Sequence, residues 1–212
     1  MEIVGIYPPY LYSIKKSDND LSEYSEIFNR LTSEEYVTDF FDKFADAVSD
    51  FWINYLGNVR DEIEDYITEI DNDIWDIRDE IKSICNSEER INKGDLQSLF
   101  IPHSKYDIRE LPHGGGRSIK YGIGYLPVKC YGISRPSLIR IYAIELSINC
   151  YIIIYGGIKI DLDTNKCPAL DSQGRPTTLE NEIRNTVMNV CHFLKANGIY
   201  DPESMADYMR KE

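Results

Sequence analysis

The chain has 212 residues, 42% of them hydrophobic and 12% aromatic, enough for a substantial core, and its net charge of −13 argues against a protein that coats nucleic acid generally. No apolar run approaches a membrane span, and the start, Met1-Glu2-Ile3-Val4-Gly5-Ile6, lacks the basic segment and cleavage site of a signal peptide, so a cytoplasmic protein without membrane contact is expected. Five cysteines without a CxxC pair and three histidines without HExxH argue against a disulfide framework and a zinc site; reduced thiols, no metal and no other cofactor are expected.

The charge is unevenly spread. Residues 1–100 hold 24 acidic and 9 basic side chains, a net −15, whereas residues 101–160 hold 3 and 8, a net +5. At the start, residues 2–7 form a short apolar run that reads as a strand buried on both faces, stopped by Pro8-Pro9 and extended past the prolines by residues 10–14. Residues 15–20 are a polar turn. Leu21, Tyr24, Ile27, Phe28 and Leu31 then recur at helical spacing, and Ser33 caps a second helix carrying Tyr36, Phe40, Phe44 and Val48.

Between residues 56 and 84, Leu56, Ile63, Ile70, Ile77 and Ile84 fall seven apart, with Ile67, Ile74 and Ile81 at the intervening offset. This heptad seam suits packing on neighbouring helices of the same chain, the reading favoured here, or on a second copy in a homo-oligomer. Its other faces are acidic, from Asp61 through Asp73 to Glu80, and either meet solvent or compete internally for the basic sheet that follows. A shorter helix over 87–99 is capped by Ser87 and weakened by Gly94. His113, the glycines 114–116 and Arg117 form a loop without the GK[ST] ending of a phosphate-binding loop, though His113 and Arg117 can lean over a site.

The chemistry sits in three strand-like segments. Residues 125–131 place Lys129 on a face with Tyr125 and Tyr131, residues 138–144 align Leu138, Arg140, Tyr142 and Ile144, and residues 151–159 align Tyr151, Ile153, Tyr155, Gly157 and Lys159. Burying lone cations costs several kcal/mol, so either water or an anion reaches that face, or acidic groups from elsewhere pair with them. A concave basic surface with aromatic platforms fits a phosphodiester and an unstacked base. After a polar loop, Leu179, Ile183, Val187, Val190, Cys191 and Leu194 form the stripe of a final helix that stops at Gly198. The expected fold is α+β, a small twisted and mainly antiparallel sheet with an early strand parallel to the last one, flanking helices and a C-terminal helix.

In this order of elements the chain resembles the RelE/ParE superfamily of small bacterial toxins, over roughly residues 122–194. Tyr125-Leu126-Pro127-Val128-Lys129 resembles the family's lysine-bearing strand, Leu138-Ile139-Arg140-Ile141-Tyr142 its R-[LIV]-[YF] strand, and Tyr155-Gly156-Gly157-Ile158-Lys159 its glycine-and-lysine strand end. The resemblance divides the chain into an early strand over 1–15, an acidic helical insertion over 18–99, a toxin-like sheet and helix over 100–198, and a tail over 199–212. It implies a metal-independent endoribonuclease of bacterial or phage origin, part of a toxin–antitoxin pair, that directs a ribose 2′-hydroxyl at the adjacent phosphate of RNA, free or on the ribosome.

In that mechanism Arg140 stabilises charge on the phosphate, Lys129 or Lys159 activates the nucleophile or neutralises the leaving oxygen, and Tyr142 or Tyr155 stacks a base, with Arg117 and His113 as further substrate-binding residues. The acidic block is longer than the family's helical pair, and docks an antitoxin-like protein or restrains the site in cis. No Tyr or His clearly matches the late acid or base of several family nucleases. The alternative is a noncatalytic interaction module of phage or mobile-element origin; a third reading takes the acidic surface as a nucleic-acid mimic.

Overall fold

The computed structural model describes residues 1–17, 20–102, 126–131, 136–170 and 175–211. Its fold is α+β. Two strands open it, β1 (Glu2–Tyr7) and β2 (Leu11–Lys15), antiparallel to each other, with Glu2 opposite Lys15 and Tyr7 opposite Leu11. Pro8 and Pro9, joined by a cis peptide, thus turn the chain back rather than let one strand run through them, and Tyr10 N–H donates to the Tyr7 carbonyl at 2.9 Å. The expected burial on both faces accordingly belongs to β2, in which Leu11 to Ile14 are all buried. β1 is a sheet edge whose one buried residue is Ile3.

β2 lies parallel to β6 (Cys150–Ile158), with Leu11 opposite Tyr151 and Ser13 opposite Ile153. β6 continues antiparallel to β5 (Ile139–Ser147), β5 to β4 (Leu126–Tyr131), and β4 to β3 (Ile101–Pro102), so the six-stranded order is β1-β2-β6-β5-β4-β3. Asn149, at φ 62°, supplies the left-handed residue of the β5–β6 turn. A separate pair, β7 (Pro168–Leu170) and β8 (Pro176–Thr178), leads into the late helix. Buried Ser13 ties the early strand to its surroundings: its hydroxyl accepts from Tyr24 N–H at 2.9 Å and donates to the Ile153 carbonyl at 3.3 Å.

The helices start where capping chemistry places them. Ser22 caps α1 (Glu23–Leu31), Ser33 caps α2 (Glu34–Phe44), Ser87 caps α5 (Glu88–Asn92) and Thr178 caps α7 (Leu179–Ala196). Asp201 and Ser204 close a reciprocal capping box on α8 (Pro202–Met209). The expected helix over 87–99 is split, because Gly94 at φ 81° ends α5 and begins α6 (Asp95–Leu99). Leu56 belongs to α3 (Asp50–Leu56), which Gly57 stops at φ 92°; α4 (Ile63–Cys85) carries the rest of the heptad.

That seam packs within its own chain. Ile70, Ile74, Ile77, Ile81 and Ile84 are at most 1% exposed, so a homo-oligomer through residues 56–84 would have to use a different face. The acidic helical block shares the core of the sheet. Ile27 of α1 packs so closely on β6 that a Cβ built on Gly156 would stand 2.8 Å from it, and one hydrophobic core runs from Ile3 through α1–α6 to Met205. No helix among the described residues is long and apolar enough to cross a membrane.

Candidate functional site

Strand register assembles most of the expected residues. Lys129 of β4 stands opposite Tyr142 of β5, which stands opposite Tyr155 of β6; in the neighbouring row, Tyr131, Arg140 and Gly157 are in register. Alternation therefore puts Lys129, Arg140, Tyr142 and Tyr155 on one sheet face, with the two tyrosine rings 6.3 Å apart and tilted by 39°. This face is not the open platform expected from the sequence. Lys129 is 7% exposed and Tyr142 2%, because both lie on strands inside a covered sheet; Arg140 and Tyr155 are partly buried. A base cannot stack on Tyr142 while its ring is covered. His113 and Arg117 lie outside the described residues.

Lys159 stands just past the end of β6, where its backbone N–H donates to the Leu138 carbonyl at 2.6 Å. Its charge acts on the neighbouring turn. Asp163 is held below the usual carboxylate range by hydrogen bonds from Asn165 first, and Lys166 and Lys159 add to this.

Arg140 is held by backbone at the start of β5. Its Nη1 donates to the carbonyls of Ser137, at 2.8 Å, and Ile139. Within range of its charge lies Asp73 of α4, 2% exposed, whose carboxyl is pushed up to about 6, chiefly by burial. A hydrogen bond with Ser137 opposes that rise, Glu69 and Asp76 reinforce it, and the Arg140 charge opposes it. One member of the acidic helix thus sits in the field of the arginine expected to hold phosphate. The sequence signal for this was its spacing: Tyr66, Ile70, Asp73 and Ile77 follow one another at four, three and four residues, the buried stripe of a helix.

Tyr155 opens on a cavity of about 200 Å³ that Arg30, Tyr36, Phe40, Gly157 and Leu179 also line. Burial pushes its phenol well above the ordinary value, with Arg30 acting in the opposite direction, so at neutral pH it can donate a hydrogen bond but not serve as a base. Arg30 was not singled out in the sequence. It bonds Glu23 at 3.2 Å and the Gly156 carbonyl at 3.4 Å, and Glu23, 4% exposed, is also bridged to Lys16 at 3.4 Å. The signal available was the i,i+7 spacing of Glu23 and Arg30, which places both on one helix face.

No protein-family model, curated protein or solved structure matches the chain.

Proposed function

We propose that the chain is a toxin-like endoribonuclease that cleaves RNA by 2′-hydroxyl attack, with its acidic helices restraining the site in cis. The observation that carries this reading is the convergence of Lys129, Arg140, Tyr142 and Tyr155 on one face of β4–β6, with Asp73 of α4 near enough to feel the Arg140 charge. Arg140 is the phosphate clamp, Lys129 neutralises the charge that develops on the reacting oxygens, and Tyr155, at its cavity, meets the base. Lys159, beyond the strand end, takes a more distant phosphate. The order of elements supports the same reading: an early strand parallel to the last strand, an antiparallel run beside it, and a helix after it.

Access to RNA requires the packing over Lys129 and Tyr142 to open, and the charge that the buried Asp73 carboxyl of α4 carries at neutral pH makes the fold easier to loosen. The test is cleavage of total RNA by the purified full-length wild type, Arg140→Ala and Asp73→Asn proteins, each checked for folding by circular dichroism. Cleavage is expected in the wild type, lost in Arg140→Ala and slower in Asp73→Asn, whose neutral side chain packs more firmly. Intact RNA with all three folded proteins, with and without ribosomes, would end the nuclease reading.

A second reading, a noncatalytic interaction module, is favoured by the burial of Lys129 and Tyr142 and by the exposure of Phe51, Ile53 and Tyr55 on α3. It becomes the conclusion if RNA stays intact.

A further inference from the structure

A large cleft lies away from the Lys129–Arg140 face, between the end of β2, the start of β8 and one side of α7. It encloses about 820 Å³, within the range of small-molecule sites. Along α7, Glu182, Asn185 and Asn189 fall at i, i+3 and i+7 and so share the face that lines it, with Met188 beside them. The other walls bring two cations from separate elements, Lys16 and Arg175. In a chain of net charge −13, two cations distant in sequence thus line one cleft together with Glu182 and the carboxamides of α7.

Lys16 is suited to exchange partners. The buried Glu23 to which it bridges is already held by Arg30, and an ion pair with one side chain 39% exposed is worth little. An incoming phosphate can therefore take Lys16 without leaving Glu23 without a counter-charge. The other groups have matching uses: a carboxylate such as Glu182 accepts from a vicinal diol, the carboxamides of Asn185 and Asn189 each offer a donor and an acceptor to a base edge, and the Met188 thioether packs on a ring face.

We infer that this cleft is a binding site for a ribonucleoside monophosphate, with Lys16 and Arg175 on the phosphate, Glu182 on the ribose hydroxyls and Asn185 and Asn189 on the base. It is separate from Arg140, so it stands or falls independently of RNA cleavage.

The experiment is isothermal titration of the full-length protein with 5′-AMP, 2′-deoxy-AMP, adenosine and inorganic phosphate. The same series is run on Lys16→Gln/Arg175→Gln and on Glu182→Gln, with thermal melting of each variant to confirm folding. The expected order is 5′-AMP binding more tightly than 2′-deoxy-AMP, and both more tightly than adenosine or phosphate. The double substitution is expected to weaken 5′-AMP by roughly tenfold or more, as loss of charge-assisted contacts does, and to leave adenosine unchanged. Glu182→Gln is expected to erase the preference for the ribose form. No heat with 5′-AMP at millimolar concentration, equal binding of phosphate alone, or undiminished 5′-AMP binding by a folded double variant would each overturn the assignment.

Discussion

Replacing Asp73 by Asn removes a charge from a site that is 2% exposed while keeping the side chain's size, and the carboxyl there has been moved from 3.8 to about 6, mainly by burial. Because the folded-state value is raised, the folded protein keeps a proton that the unfolded chain has released between about pH 4 and pH 6. Asp73 therefore draws stability down as pH rises through that window, and the deficit is constant above it. A displacement of about two units at 1.36 kcal/mol each corresponds to an upper bound of about 3 kcal/mol. Urea unfolding of wild type and Asp73→Asn across pH 4 to 8 measures the difference directly, and the other carboxylates cancel in it. The variant is expected to match the wild type near pH 4 and to gain stability progressively, by up to about 3 kcal/mol, by about pH 7. If Asp73→Asn is instead less stable at neutral pH, the hydrogen bond with Ser137, helped by attraction to Arg140, outweighs the cost of burying the carboxylate, and the reasoning from burial is wrong.

Gly156→Ala is expected to destabilise by about 1–3 kcal/mol, because its Cβ would lie 2.8–2.9 Å from three atoms of Ile27; Ile27→Val should recover part of the loss, read by urea midpoint. Ile77→Ala, on the fully buried seam of α4, should cost about 2–5 kcal/mol in the same assay. Asp201→Ala breaks the capping box of α8 and should lower stability by about 0.5–2 kcal/mol, seen as faster amide exchange over residues 202–209. All five thiols are buried, and burial pushes Cys85, Cys150 and Cys191 up to about 12, so native protein should react with a thiol reagent far more slowly than urea-unfolded protein.

Much of this fold was legible because its signals were local. The seven-residue isoleucine repeat of α4, the serine caps at 33 and 87, and the alternation through Arg140 and Tyr142 each specify an element from adjacent residues. Other features depended on partners distant in sequence. A proline pair after an apolar run reads equally as a stop or a reversal, and the reversal became decidable only with β2 seated beside β6. Likewise, alternation grouped Arg140 with Tyr142 within one strand, but Lys129 joins them only through the β4–β5 register, and whether that face is open is decided by what packs over it, which no strand periodicity carries. Asp73 lies between these cases: its offset from Ile70 and Ile77 marked a buried position, while its bond with Ser137 and its place in the Arg140 field came only from the packing of α4.

The parallel pairing of β2 with β6 also orders events in time, since Ser13 and the Ile153 carbonyl it bonds are 140 residues apart. At a synthesis rate of about 5–20 residues per second, the first hairpin emerges on the order of ten seconds before its neighbour exists. Helical segments can collapse onto it meanwhile, but the apolar edge from Leu11 to Ile14 stays open until the last long strand arrives. A nascent chain interrupted before residue 150 is consequently the form of this protein most exposed to aggregation.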